Sequence, residues 1–214
     1  MTMQIAIVLF DRVTALDAVG PYEALQRLEG AEVVFTSERT GEVRTENGFL
    51  GLTVDATFAE VPSPDVVIVP GGIGSRALLV DHPVLDWIRA VHESTRFTTS
   101  VCTGSLVLAA AGLLDGLSAT THWANYDELA TLGARPTRQR VVEHLDRRII
   151  TAAGVSSGID MALRLAELLA DRTAAKALQL MIEYDPQPPF DCGHPDRATA
   201  EIMERVIRYA SLKD

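Results

Sequence analysis

A cysteine stands at the junction between a predicted strand and a predicted helix. Residues 97–101 are rich in strand-forming residues, and an alanine-rich run that ends at Gly112 follows Cys102. A thiol at the start of a helix faces unpaired backbone N–H groups and the positive end of the helix dipole, and both stabilise a thiolate. The pattern predicts a nucleophile at Cys102, with the N–H of Thr103 placed to hold developing negative charge. An ordinary buried cysteine is the alternative interpretation.

Asp17 is the candidate proton carrier for this thiol. It follows the first predicted strand, residues 4–10, and lies inside the apolar run 15–19. Apolar neighbours favour burial, and a buried carboxyl group beside a thiolate tends to keep its proton. Such a group can donate to the sulfur or handle the proton of a water molecule. A solvated loop carboxylate is the alternative.

A glycine-rich loop, residues 70–74, follows another buried strand at 65–69. It lacks the Lys-Ser/Thr ending of a phosphate loop and has the wrong spacing for a dinucleotide fingerprint, so we predict no nucleotide cofactor. Glycine allows backbone to approach a bound atom closely, which makes the N–H groups of Gly71, Gly72 and Ile73 candidates for an anion hole with Thr103. A plain tight turn is the alternative.

His122 is the histidine nearest to Cys102 in the sequence. It is a candidate partner for the thiol, as in cysteine hydrolases, although a histidine at the start of a helix is as often a structural hydrogen-bonding residue. The other histidines fall in predicted loops or on polar faces, and no cluster has the spacing of metal ligands. We therefore predict no metal.

Strands and helices alternate along the chain. Apolar runs at 4–10 and 65–69 are typical of strands buried on both faces in a parallel sheet. Hairpins are predicted at 43–54, around Asn47-Gly48, and at 141–151, and a further strand at 31–36. Helices are predicted from near Pro21 to Leu28 and over 84–93, 120–132, 158–170, 173–184 and 198–212.

This order predicts an α/β fold, a doubly wound, mostly parallel sheet in a three-layer α/β/α sandwich, with residues 1–214 as a single domain. Ligands bind beyond the carboxyl ends of the strands in such sheets. Asp17, the loop 70–74 and Cys102 all follow predicted strands at that end. The topology therefore predicts that they share one site.

The composition excludes several classes of function. The formal charge of −10 opposes nucleic-acid backbones and anionic membranes, and we find no basic stripe that would override it. No apolar stretch reaches the roughly 20 residues needed to span a bilayer. The start of the chain shows no export signal, so we expect a cytoplasmic protein in which Cys102 and Cys192 are free thiols.

Four sequence blocks resemble those of the ThiJ/PfpI superfamily, whose members are related to class I glutamine amidotransferase domains. The blocks are residues 69–72, 100–105, 109–116 and 119–123, and the resemblance extends over nearly the whole chain. Most members carry a glutamate near the cysteine, whereas isonitrile hydratases carry an aspartate. Leu16-Asp17 and the segment 183–190 are similar to the hydratase pattern.

The resemblance implies a flavodoxin-like fold and the hydration of a small isonitrile to an N-substituted formamide without a cofactor or metal. In that reaction Cys102 would attack the terminal carbon, Asp17 would assist protonation and then position water, and a thioimidate would be hydrolysed. The N–H groups of Thr103 and Gly72 would steady the intermediate. The resemblance also implies a homodimer. The alternatives are a related hydrolase or glyoxalase-like enzyme, and a sensor domain like that of AraC-type regulators.

Overall fold

The computed structural model describes residues 2–211. The contacts of the chain separate into two compact units, residues 2–182 and 183–211. The described strands, all in the first unit, are β1 (Met3–Val8), β2 (Ala31–Ser37), β3 (Gly41–Arg44), β4 (Gly51–Val54), β5 (Ala56–Thr57), β6 (Val66–Val69), β7 (Phe97–Val101), β8 (Ser118–Ala119), β9 (Arg135–Pro136), β10 (Val141–His144) and β11 (Ile149–Ala152).

Six described α-helices belong to the first unit and one to the second. They are α1 (Ala15–Leu25), α2 (Pro83–His92), α3 (Gly104–Ala110), α4 (Tyr126–Thr131), α5 (Ser157–Leu169), α6 (Arg172–Met181) and, in the second unit, α7 (Ala200–Ser211). Two 3₁₀ turns lie near the site described below, Ile73–Leu78 and Trp123–Asn125.

The main sheet has seven strands in the order β10-β11-β7-β6-β1-β2-β5. Neighbouring strands are parallel except for β10, which pairs with β11 in an antiparallel hairpin. The chain winds from β1 towards β2 on one side and later from β6 towards β7 on the other. The strand order therefore reverses beside β1, which is where doubly wound sheets place their ligands. This arrangement confirms the predicted fold class.

The sheet is buried on both faces, and its central strands β6 and, from Ile5 onward, β1 are apolar at every position. In β1, Ile5 and Ile7 belong to one hydrophobic cluster, whereas Ala6 and Val8 belong to the other. Alternate side chains of a strand point to opposite faces, so a strand covered on both sides exposes neither set of side chains to water. The continuous apolar run that begins the chain is the sequence signature of this position.

The first helix begins earlier than the sequence predicts. The helix expected near Pro21 starts at Ala15, and Pro21 lies inside it. A proline inside a helix has no N–H to donate to the carbonyl four residues earlier, here that of Asp17, but it does not prevent the helix from continuing. Asp17 consequently lies in the first turn of α1 and not in a loop.

The boundaries of the other helices and strands lie closer to their predicted positions. The helix expected over 120–132 is a 3₁₀ turn followed by the short helix α4, and the hairpin expected at 43–54 is present as β3 and β4. Helix α6 ends at Met181, earlier than predicted. The last predicted helix is α7, and Leu212, where it was expected to end, lies outside the described residues.

A glycine at the start of α3 lets this helix approach the end of β6. A Cβ atom at Gly104 would collide with the Val69 carbonyl oxygen and would lie 2.8 Å from that of Pro70. We expect Gly104→Ala to lower the free energy of unfolding by about 3 kcal/mol, because backbone must move to admit the methyl group. Chemical denaturation measures this change.

The matched control is Gly48→Ala in the turn between β3 and β4. Gly48 has a positive φ of 74°, and a Cβ atom added there would meet no other atom within 4 Å. Its substitution strains only the local backbone and should cost about 1 kcal/mol. Equal losses in the two variants would contradict the close-approach explanation for Gly104.

Candidate active site

Cys102 forms the sharp turn between β7 and α3. Its φ is +56°, in the left-handed region that non-glycine residues seldom occupy, and its side chain is buried. Its N–H donates to the carbonyl oxygens of Ala152 and Ala153, at 3.1 and 2.9 Å, and its carbonyl oxygen accepts from the hydroxyl of Thr121 at 3.0 Å. These bonds fix the strained turn, and they confirm the strand-turn-helix geometry expected at this cysteine.

Two backbone N–H groups donate to the sulfur of Cys102. One is that of Thr103, as expected, and the other is that of Val155, in the loop before α5. Val155 has a φ of +31°, which is unusual for a β-branched residue. Nothing in the sequence distinguishes Val155, because its role depends on a backbone group that every residue except proline carries.

Asp17 is fully buried in the first turn of α1 and shares a hydrogen bond with the Cys102 thiol. Its Oδ2 atom accepts from the N–H of Gly71 at 2.9 Å. Its Oδ1 atom has no nitrogen or oxygen donor among the described residues. The structure therefore brings the predicted carboxyl group and the predicted nucleophile into direct contact.

Burial raises the pKa of Asp17 to about 7, and the negative charge of Glu46 adds to this rise, while hydrogen bonds from Gly71 and Cys102 oppose it. Burial also raises the pKa of the Cys102 thiol well above its usual value, and the charge of Asp17 adds to it, against the N–H groups of Val155 and Thr103. The expectation of a thiolate with a lowered pKa was wrong, because burial outweighs the N–H groups. Because the Asp17 carboxyl group and the Cys102 thiol are in contact, a state with both groups negatively charged is unfavourable. The two groups therefore titrate as a pair.

The loop after β6 does not offer the open anion hole that the sequence suggests. The N–H of Gly71 donates to Asp17, that of Gly72 donates to Thr103 Oγ1 at 2.9 Å, and that of Ile73 donates to Glu46 Oε1 at 3.1 Å. All three candidate donors are thus bonded within the protein. The N–H groups that reach the sulfur belong to Thr103 and Val155.

Close approach, and not only a turn, requires glycine in this loop. A Cβ atom at Gly71 would lie 2.5 Å from the backbone nitrogen of Thr103 and 2.9 Å from the Cβ atom of Cys102. The side chain of Thr103 also holds this loop in place. Its hydroxyl donates to the carbonyl oxygen of Gly72 at 3.2 Å and accepts from Ser75 Oγ at 3.1 Å. The Thr103 side chain therefore joins the loop to the turn at Cys102 and does not cap α3.

His122 is partly buried at the start of the 3₁₀ turn Trp123–Asn125. Its Nδ1 atom accepts from the N–H of Ala124 at 3.3 Å, and its ring lies against Gly154. Burial lowers its pKa, the charge of Glu46 opposes this effect, and the charge of Arg76 adds to it. The structure gives the thiol a carboxyl partner in Asp17, while the imidazole of His122 bonds within its own turn.

Within residues 2–211, no group of three histidine, cysteine or acidic side chains is arranged to hold a metal ion. No helix among these residues is both long and apolar enough to cross a bilayer. Cys102 and Cys192 are both free thiols. The groups that the structure brings together around Cys102 are its thiol, the Asp17 carboxyl group and backbone N–H donors.

Comparison with known proteins gives consistent matches. The model of the DJ-1/PfpI family matches residues 3–168. The isonitrile hydratase of Pseudomonas putida is 44% identical over 211 residues, which cover 99% of this chain and 91% of that protein. The crystal structure of a ThiJ/PfpI family protein from Pseudomonas syringae superposes with a TM-score of 0.91 at 38% identity, over 99% of this chain and 87% of that one.

A transcriptional regulator is also similar. The HTH-type regulator GbdR of Pseudomonas aeruginosa is 30% identical over 179 residues, which are 82% of this chain but 48% of the regulator. About half of that protein therefore has no counterpart in this match.

The raised pKa of Asp17 has a consequence for stability. The pKa in the folded protein, about 7, exceeds that of an unfolded aspartate, about 3.9. The folded chain thus keeps a proton that the unfolded chain releases, and wild-type stability falls as the pH rises from about 4 to about 7. Asp17→Asn cannot ionise at this position. We therefore expect its free energy of unfolding, relative to that of the wild type, to rise by about 3 kcal/mol between about pH 5 and about pH 8.

Urea unfolding at the two pH values measures this gain. Asp146→Asn, at an exposed position between β10 and β11, controls for the loss of one surface charge. A difference between Asp17→Asn and the wild type that stays constant with pH would contradict a buried carboxyl group of raised pKa.

Proposed function

Because the chain belongs to the DJ-1/PfpI family, we propose that its buried Asp17–Cys102 pair is the catalytic centre of an isonitrile hydratase. Such an enzyme adds water to an isonitrile, R–N≡C, to give an N-substituted formamide, R–NH–CHO. The contact between the two side chains is the observation that carries the proposal. The 44% identity to the Pseudomonas putida isonitrile hydratase supports the choice of substrate.

The first step forms a carbon–sulfur bond. The active pair holds one proton, and the Asp17 carboxylate takes it from the Cys102 thiol as the sulfur attacks the terminal carbon of the isonitrile. Asp17 then delivers the same proton to that carbon. The product is a thioimidate, R–N=CH–S–Cys102, whose mass is that of the protein plus the whole substrate, because nothing leaves.

The second step uses water and returns the enzyme to its starting state. Asp17, again a carboxylate, takes a proton from water as the oxygen adds to the thioimidate carbon, and it passes this proton to the nitrogen. The resulting tetrahedral intermediate, R–NH–CH(OH)–S–Cys102, gives its hydroxyl proton to Asp17, expels the sulfur as a thiolate and releases the formamide. Asp17 returns its proton to the thiolate, which the N–H groups of Thr103 and Val155 stabilise while it is charged.

We also propose that the protein acts as a homodimer. Leu180 and Met181, at the end of α6, expose 80% and 64% of their surface. Adjacent exposed apolar side chains favour an interface over free contact with water. We expect sedimentation to give a dimer that Leu180→Ser weakens, and a concentration-independent monomer would contradict this proposal.

Turnover of an aryl or cyclohexyl isonitrile, followed as formamide by chromatography, tests the proposed reaction. We expect Cys102→Ala to lower kcat/KM by about 10³-fold or more and Asp17→Asn by about 10²-fold to 10⁴-fold. Cys192→Ala and Asp146→Asn are matched controls and should keep wild-type rates. Rapid quenching of the wild type should show an adduct of substrate mass on Cys102 but not on Cys192.

The pH dependence of kcat/KM follows from the requirement that Asp17 and Cys102 together hold one proton. Below the pKa of Asp17, about 7, both groups are protonated and no base is present, so kcat/KM should rise with pH through this value. Freshly reduced protein that turns over none of several isonitriles would contradict the proposal. That result would favour a ligand-binding role, as the similarity to a regulator suggests.

A further inference from the structure

Glu46 is a half-buried carboxylate that the proposed reaction does not use directly. It lies in the turn between β3 and β4, outside the main sheet. Its Oε1 atom accepts from the N–H of Ile73 at 3.1 Å, and its own N–H donates to the carbonyl oxygen of Val13 at 3.2 Å. It therefore connects the β3–β4 hairpin both to the loop after β6 and to the segment that leads into α1.

The loop that Glu46 holds is the one that orients Asp17. Ile73, which donates to Glu46, is two residues from Gly71, which donates to Asp17. Between them, Gly72 is bonded to Thr103. Loss of the bond to Glu46 would remove the acceptor of the Ile73 N–H. The loop would then be held by Thr103 and by two backbone bonds to the segment before α1, from the N–H of Thr14 to the Gly71 carbonyl oxygen at 2.9 Å and from the N–H of Gly74 to the Arg12 carbonyl oxygen at 3.2 Å.

From this geometry we propose that Glu46 is a positioning residue: acting through Ile73, it keeps the Gly71 N–H directed at Asp17, and its charge keeps Asp17 an effective base. The inference rests on the proposed function for its catalytic meaning. Its structural part, the control of Asp17 by Glu46, is independent of the substrate.

Charge supports the same assignment. The ionisable groups that act on Asp17 are Cys102, in direct contact, and Glu46, whose negative charge raises the pKa of Asp17. Glu46 also acts on His122, where Arg76 opposes it. A carboxylate of raised pKa takes a proton from a thiol more readily than an ordinary one, since proton transfer is more favourable when the two pKa values are closer.

Arg76 does not neutralise this effect, because it is committed to another carboxylate. Its guanidinium group makes two bonds to Glu128, at 3.2 and 2.7 Å, and Glu128 also accepts from the side chain of Asn125 at 2.9 Å. The charge of Arg76 is thus largely balanced by Glu128.

Two substitutions separate the two parts of the role. Glu46→Gln keeps an oxygen that can accept from Ile73 but removes the charge, so the acid limb of the pH–kcat profile should move to lower pH and the plateau should fall by about threefold to tenfold. Glu46→Ala removes both, so its plateau should fall by about 10²-fold, with KM nearly unchanged. Glu42→Gln is the matched control, since Glu42 lies in the same hairpin and pairs with Arg44 at the surface.

An infrared titration tests the assignment without any isonitrile. The C=O stretch of protonated Asp17, identified by its absence in Asp17→Asn, should disappear at lower pH in Glu46→Gln than in the wild type or Glu42→Gln. A midpoint unchanged by Glu46→Gln would overturn the proposal, and so would wild-type kcat in Glu46→Ala. If the wild type hydrates no isonitrile, the proposed function fails while the infrared midpoint still decides the role of Glu46.

Discussion

One constraint organises this molecule: a thiol and a carboxyl group lie in contact, away from water, where two negative charges cannot be accommodated together. Burial raises the pKa of both Asp17 and Cys102. Asp17 and Cys102 therefore share one proton, and the neighbouring groups determine which of the two side chains holds it. The N–H groups of Thr103 and Val155 favour charge on sulfur, the N–H of Gly71 favours charge on the carboxylate, and Glu46 opposes it.

The fold supplies this pair through backbone in unusual conformations. The turn at Cys102 has a positive φ, and the glycines at 71 and 104 admit backbone where a side chain would collide. Parallel strands buried on both faces can hold such a turn in place, because the Cys102 N–H and carbonyl remain fully bonded to the end of β11 and to Thr121. The strain at the site is thus balanced by the rigidity of the sheet beneath it.

The sequence was sufficient for the fold class, the cysteine turn and the pairing of Cys102 with Asp17, because each depends on a local pattern: apolar runs, a strand-to-helix junction and an acid among apolar residues. It was insufficient for two kinds of feature. Val155 acts through a backbone N–H group, which leaves no side-chain signal, and Glu46 reaches the site only through the packing of a hairpin. The N–H of Gly71 was predicted as a donor, but its acceptor, Asp17, was not. The predicted low pKa of the thiol failed for a related reason, since the helix-start pattern is visible in the sequence but the depth of burial is not.

The site draws on widely separated parts of the chain, from Asp17 through Glu46, Gly71 and Cys102 to Val155. No short stretch of the chain holds enough of these groups to form the site in which Asp17 and Cys102 share a proton. Contacts between segments far apart in the sequence form more slowly during folding than local contacts. A nascent or partly folded chain therefore carries only an ordinary cysteine and an ordinary aspartate. We therefore expect reactivity to appear only when these segments have met, so that its recovery on refolding would report the joining of β1, β6, β7 and β11 and not the formation of any one helix or hairpin.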